Sequence, residues 1–229
     1  MDIELLGKLR VSENGVPVAA PTPESRHLLA ALAASPDRVV PVRVLADELA
    51  HRTPTANGRS VLLTAVRLLR ERFTQAQAVG SVRDARTVLS ARSGGYVLDT
   101  GGGRSDAQEF EREAGAGYRA MSRGDFEQAA RRLRRALDLW TGPALAGIDA
   151  GPWLAGRVAA LDADRRAVLG QWVEAELFLG RDRELRLELA GLRGGHERSG
   201  GAYLADLRRA EQRVEALRAA RPTPRLSLA

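Results

Sequence analysis

The sequence predicts an α+β N-terminal part followed by an all-α C-terminal part, and three observations carry that expectation. Through residue 100, short β-like runs alternate with short helical runs, and Pro and Gly punctuate both. From Ser105 onward, helical periodicity continues almost to the end. Between the two, Gly101-Gly102-Gly103-Arg104 reads as a flexible linker. The expected domains are therefore 1–100 and 105–220. Residues 221–229, with two prolines, are expected to form a loose tail.

In the first part, Ile3, Leu5 and the Leu9–Val11 pair, separated by Gly7, read as a strand. Glu13-Asn14-Gly15 is a turn signal, and Val16–Val18 returns as a hairpin strand. A helix over 23–34 follows, with Leu28, Leu29 and Leu32 on one face, and Pro36-Asp37 ends it. Residues 38–40 form an extended link. Residues 42–50 form a second helix around Val44, Leu45 and Leu49, and residues 54–73 a third, longer one. Two strands, 87–90 and 96–98, close the part as a hairpin with a basic, glycine-rich tip at 91–95. Strands, three helices and a closing hairpin in this order describe a winged helix-turn-helix.

In the second part, Ser105 with Gln108 marks a helix start, as does Asp125 with Gln128. Phe110, Ala114, Gly117, Tyr118 and Met121 form one apolar stripe; Phe126, Ala129, Ala130, Leu133, Ala136, Leu137 and Trp140 form the next. Gly124 separates them. The same rhythm recurs over 152–179, breaks at Gly180-Arg181-Asp182 and resumes, which suggests tetratricopeptide-like helical stacking. An ordinary helical bundle has the same periodicity.

The charge is unevenly placed. Between Arg52 and Arg92 stand eight arginines (52, 59, 67, 70, 72, 83, 86 and 92) against Glu71 and Asp84. That surplus of +6 equals the net charge of the whole chain. A surplus gathered on one helix and the hairpin after it is the footprint expected for a polyanion, most simply DNA. The third helix has the two faces such binding needs. Val61, Leu62, Ala65, Val66, Leu68, Leu69 and Phe73 supply an apolar side, and Arg59, Ser60, Leu63, Thr64, Arg67, Arg70 and Glu71 the other. Ser60 and Thr64 suit base edges or phosphate, Arg67 and Arg70 guanine or phosphate, and Leu63 a thymine methyl. The helix start at 55–58 offers backbone N–H groups to a phosphate. Arg92, beside two glycines, is placed to reach an adjacent groove or the backbone.

Four segments resemble the Streptomyces antibiotic regulatory protein (SARP) family, which joins an OmpR-type winged helix to a bacterial transcriptional activation domain. They are LLGKLRV (5–11), SVLLTAVRLLRERF (60–73), SGGYVL (93–98) and, most specific, LWTGPALAGI (139–148). The last reads as a packing corner in which Gly142-Pro143 turns the chain and Leu145 and Ile148 tuck under the helix pair. The resemblance implies an activator of an antibiotic biosynthetic cluster. Such an activator binds direct repeats in double-stranded DNA near a promoter, as a homodimer of paired protomers, and recruits RNA polymerase through its sigma factor. The DNA-contacting residues it implies are Arg59, Ser60, Thr64, Arg67 and Arg70, with Arg92 in the wing. Two departures stand out. Leu62 and Leu63 lie where polar residues are common in the family, and Gly194–Gly201 with one charged helix replaces the usual end of the last repeat. These departures motivate the alternative of a helical-repeat interaction or ligand-sensing regulator with a degenerate DNA-binding part.

Composition narrows the rest. The chain has 229 residues, enough for two domains with separate cores, and is 44% hydrophobic and 28% charged, a globular balance. Aromatics are 4%, so the cores must be built from Leu, Val and Ala. Without cysteine there is no disulfide, thiolate metal site or cysteine nucleophile. His27, His51 and His196 lack metal-ligand spacing, and His27 and His51 read as surface or helix-end residues. No nucleotide-binding fingerprint or catalytic constellation is present, so no enzyme activity, cofactor or metal is expected. No apolar run approaches the roughly 20 residues that cross a bilayer. The expected location is cytoplasmic and nucleoid-associated, with no membrane partner.

Overall fold

A computed structural model of the chain describes residues 1–52, 57–76, 84–196 and 202–220. Their contacts form two compact units, Met1–Glu111 with Leu139–Asp162, and Arg112–Asp138 with the chain from Ala163 onward. The expected division at 101–104 separates two kinds of secondary structure along the chain. The compact units are cut elsewhere, because 139–162 packs with the N-terminal elements.

The first unit opens with strands β1 (Asp2–Glu4), β2 (Arg10–Glu13) and β3 (Val16–Pro17), antiparallel in that order. The expected single strand over 3–11 is thus a hairpin, with Ile3 opposite Val11. The reason lies far along the chain. The Leu5 and Leu6 N–H groups donate to the Asp106 carboxylate at 2.8 Å each, and the Leu5, Leu6 and Gly7 carbonyls accept from Leu145, Thr141 and Ala146 at 2.8, 2.8 and 2.9 Å. With its backbone groups taken by these partners, 5–7 cannot also serve a strand ladder. Burial pushes the Asp106 carboxyl above its ordinary range, while the N–H groups of Leu6, Leu5 and Ala107 pull it down. The 139–148 corner therefore lies on the N-terminal loop. Leu145 is buried and Ile148 half-buried, and Trp140 meets the Phe110 ring edge-on at 5.6 Å.

Helix α1 (Pro23–Ala33) begins where Thr22 caps it, its hydroxyl oxygen accepting from the Ser25 N–H at 3.1 Å with Pro23 next in line. Strand β4 (Val40–Pro41) leads into α2 (Val42–Arg52), and α3 (Gly58–Ala76) follows. Both α1 and α2 pack on α3. Pro54, the expected start of the third helix, lies outside the described residues. Residues 87–88, expected in a strand, belong instead to a single helical turn, α4 (Ala85–Val88). Asp84 is its cap, accepting from the Arg86 and Thr87 N–H groups at 2.7 and 2.8 Å. Strands β5 (Leu89–Arg92) and β6 (Gly95–Leu98) then pair through a two-residue turn at Ser93-Gly94, with Gly94 at φ 78°. This second sheet runs β4-β6-β5. Leu28, Leu32, Leu45, Leu49, Leu62, Leu69, Phe73 and Leu98 form the core between the helices and this sheet. The glycine linker is a fixed turn: the Gly103 N–H donates to Thr100 O, and Arg104 O accepts from Ile3 N–H at 2.8 Å.

Helices α5 (Asp106–Ser122), α6 (Phe126–Asp138), α7 (Pro152–Phe178), α8 (Asp182–His196) and α9 (Ala202–Ala220) complete the chain. The starts of α5 and α6 are the expected ones. Ser105 Oγ accepts from Gln108 N–H at 3.5 Å, and Asp125 Oδ1 from Gln128 N–H at 3.0 Å. In the second unit, Leu133, Leu137, Val168, Trp172, Leu189 and Leu207 are buried. Arg134 joins α6 to its neighbours: it pairs with Asp138 and with Glu188 at 3.0 Å and lies 5.5 Å above the Trp172 ring. Phe126 and Phe178 stack at 4.4 Å, and Arg165 covers the Tyr203 ring. The expected tail, 221–229, lies outside the described residues.

Candidate nucleic-acid interface

Helix α3 is anchored by one side only. Leu62, Ala65, Val66, Leu69, Phe73 and Ala76 are buried, and Val61 and Leu68, assigned to the apolar side, are half-buried at its margins. On an ideal wheel of about 100° per residue, Arg59, Ser60, Leu63, Thr64 and Arg67 fall on one arc about 140° wide, with Arg67 near its middle. All five are exposed. Leu63 shows 55% of its surface, a large apolar side chain held in solvent between Ser60 and Arg67. Leu62, the other leucine of the pair, is only 1% exposed and belongs to the core. Of the two leucines that motivate a degenerate DNA-binding part, only Leu63 stands on the exposed arc.

Local bonds set the polar groups. Thr64 donates its hydroxyl hydrogen to the Ser60 carbonyl at 3.1 Å, which leaves the hydroxyl's acceptor side facing out. Arg67 Nη1 donates to Glu71 Oε1 at 2.7 Å in an exposed i,i+4 pair. Such a pair is worth about 0.3–0.5 kcal/mol and yields readily to a stronger anion. Asn57 caps the helix, its side-chain oxygen accepting from the Arg59 N–H at 3.0 Å. The expected phosphate cradle at 55–58 includes Thr55 and Ala56, which lie outside the described residues, as does Arg83.

Arg92 stands exposed at the β5–β6 turn. Arg70 behaves differently from the other arginines named. It falls on the same arc, between Arg59 and Leu63, but is half-buried, and donates Nε and Nη2 to the Leu89 carbonyl at 3.0 and 2.8 Å. Its guanidinium is thus committed to the protein at the first residue of β5. The structure gathers Arg59, Ser60, Leu63, Thr64 and Arg67 on one face, leaves Arg92 on the neighbouring hairpin, and withdraws Arg70 into a brace between the two.

One buried pair, His27 with Glu48, was not foreseen from the sequence. His27, expected near the surface, is 2% exposed, and its Nε2 lies 3.1 Å from Glu48 Oε1. Glu48 Oε2 accepts from the Trp153 N–H at 3.1 Å. One carboxylate on α2 therefore ties α1 and the first turn of α7 to the helix that precedes α3. His51, by contrast, is exposed as expected. Among the described residues, no group of three or more His, Cys, Asp or Glu is arranged to hold a metal, and no helix is long and apolar enough to cross a membrane.

Comparison with known proteins identifies relatives of the chain. The family described as bacterial transcriptional activator domain matches residues 105–226. The regulatory protein DnrI of Streptomyces peucetius is 36% identical over 96% of this chain and 82% of its own length. AfsR of Streptomyces coelicolor, also a regulatory protein, is 32% identical over 97% of this chain but only 22% of its own. Among solved structures, Mycobacterium tuberculosis EmbR in complex with a low-affinity phosphopeptide superposes with a TM-score of 0.72 at 27% identity, covering 97% of this chain and 66% of that one. The chain belongs to the SARP family, whose members are transcriptional regulators and not enzymes.

Proposed function

We propose that this protein is a sequence-specific DNA-binding activator of an antibiotic biosynthetic cluster. The N-terminal elements work as a winged helix, with α3 as the recognition helix and β5–β6 as the wing. The helical part, read as tetratricopeptide-like, pairs protomers on direct repeats and holds RNA polymerase through its sigma factor. The observation that carries the reading is the single exposed arc of α3, where two arginines, two hydroxyls and a leucine project from a helix fixed by its opposite side. In a major groove, Arg67 and Arg59 meet phosphate or guanine, Ser60 and Thr64 meet base edges, and Leu63 meets a thymine methyl. Arg92 reaches the flanking backbone. The reading draws further support from DnrI, a regulator from a Streptomyces species that aligns over nearly the whole chain.

Titration of the full chain with duplex from its own promoter and with random duplex, across a salt series, tests this. The promoter is expected to bind more tightly by a factor in the thousands or more. Equal affinity for both overturns the reading. In the same assay, Arg67→Ala is expected to weaken binding and to lower the slope of log K against log salt by about one unit if Arg67 meets phosphate. An unchanged slope and affinity removes Arg67 from the contact set.

A further inference from the structure

Arg70 spends its charge on a neutral acceptor. Both Nε and Nη2 point at one oxygen, the Leu89 carbonyl, although an exposed guanidinium is well solvated by water alone. Two donors from one planar group fix both the distance and the orientation of the acceptor, which a lysine in the same place would not do. The acceptor is well chosen for leverage. Leu89 is fully buried, and it opens β5, whose fourth residue is Arg92. Three residues of strand span about 10 Å, and the paired partner β6 stiffens that span. The tip end of β6 is held separately by β4, with Val40 opposite Tyr96 and Pro41 opposite Gly95, and the Val42 N–H donates to the Gly94 carbonyl at 2.9 Å. Through the Leu89 carbonyl, α3 bonds to the base of the hairpin, at the end away from the turn.

We propose that Arg70 is a positioning residue that ties the base of the wing to α3 and, together with the β4 grip at the tip, sets the place of Arg92 relative to the reading face of α3. Arg92 then meets DNA in register with Arg59, Ser60, Leu63, Thr64 and Arg67. The functional part of this proposal rests on the promoter-binding reading; its geometric part holds for the free protein. Arg70 contributes to recognition through Arg92 and makes no DNA contact of its own.

The test is a double-mutant cycle on the full chain, read by promoter binding over a salt series, together with amide hydrogen exchange of the free protein. Arg70→Ala is expected to weaken promoter binding about tenfold, close to the effect of Arg92→Ala. The double variant should bind no more weakly than Arg92→Ala alone. Arg70→Lys retains a charge for phosphate but not the fork, so it should behave like Arg70→Ala. In the free protein, amides of Tyr96–Leu98 should exchange about tenfold faster in both Arg70 variants, while those of Leu69 and Phe73 hold. Additive losses in the cycle, or binding retained by Arg70→Lys, would instead make Arg70 a DNA contact and overturn the proposal. So would unchanged exchange in the hairpin. Faster hairpin exchange in a protein that does not prefer its promoter would leave the brace standing and remove the promoter-binding reading.

Discussion

Replacing Glu48 with alanine is expected to destabilise the protein by about 3–5 kcal/mol, far more than loss of any exposed ion pair. Glu48 and His27 are 1% and 2% exposed, and the carboxylate serves two elements at once, through Oε1 to His27 and Oε2 to the Trp153 N–H. Removing it takes this acceptor from a buried imidazole and a part-buried N–H, at about 1–3 kcal/mol each, and leaves a void beside Gly151. Glu48→Gln keeps the shape and one carbonyl oxygen, but its amide can accept through only one of the two positions, so a smaller loss is expected. The pair Arg43–Asp47, with side chains 92% and 74% exposed, is the control, and Asp47→Ala should cost less than about 1 kcal/mol. Urea midpoints of the three variants decide the matter. A Glu48→Ala loss no larger than the control's would show that the buried link contributes nothing.

Gly7→Val is expected to cost about 3 kcal/mol by lifting the 139–146 corner off the N-terminal loop. A Cβ at Gly7 would stand 2.0 Å from Thr141 Oγ1 and 3.3 Å from Thr141 Cβ, so the Thr141 side chain occupies the space a larger residue would need. The three backbone bonds that seat the corner, from Thr141, Leu145 and Ala146, all lie within this contact, and each contributes about 1 kcal/mol net. Because the nearest clash is with a side-chain oxygen, the cost should depend on that oxygen. Gly7→Ala should destabilise clearly in the native background and by about half as much beside Thr141→Ala. Equal costs in both backgrounds would place the strain elsewhere.

The position of these residues explains how far the sequence was legible. Helices α3 and α6 could be read at sight because one face of each is buried, and burial of one face imposes a 3.6-residue period on the residues themselves. The caps at Ser105 and Asp125 were legible for the same reason: donor and acceptor are three residues apart. The exposed arc of α3 follows from the periodicity and needed no further information. Features that depend on distant partners were hidden. LLGKLRV looks like a strand because its apolar residues are dense, yet its loop is held by Asp106, Thr141, Leu145 and Ala146. His27 and Glu48 look like ordinary polar helix residues until α1 and α2 are brought together. Thr87-Val88 is β-branched and reads as strand, but Asp84 captures two N–H groups and winds a turn first. Arg70 falls inside the same arc of α3 on the wheel, between Arg59 and Leu63, so neither spacing nor composition sets it apart; its bond depends on Leu89, a partner nineteen residues away.

The central claim is that the arc of α3 around Ser60 and Thr64 lies in the DNA groove. The chain has no cysteine, so Ser60→Cys creates a unique attachment point on that arc. A DNA-cleaving chelate fixed there should cut promoter duplex at a few positions inside each repeat and, with paired protomers, at the same place in both. The same chelate at Leu187→Cys, exposed on α8 in the other unit, is the reference. Focused cutting from position 60 at the repeats is the predicted result. Cutting from position 60 that is absent, or spread evenly along the duplex while the protein stays bound, would contradict the account.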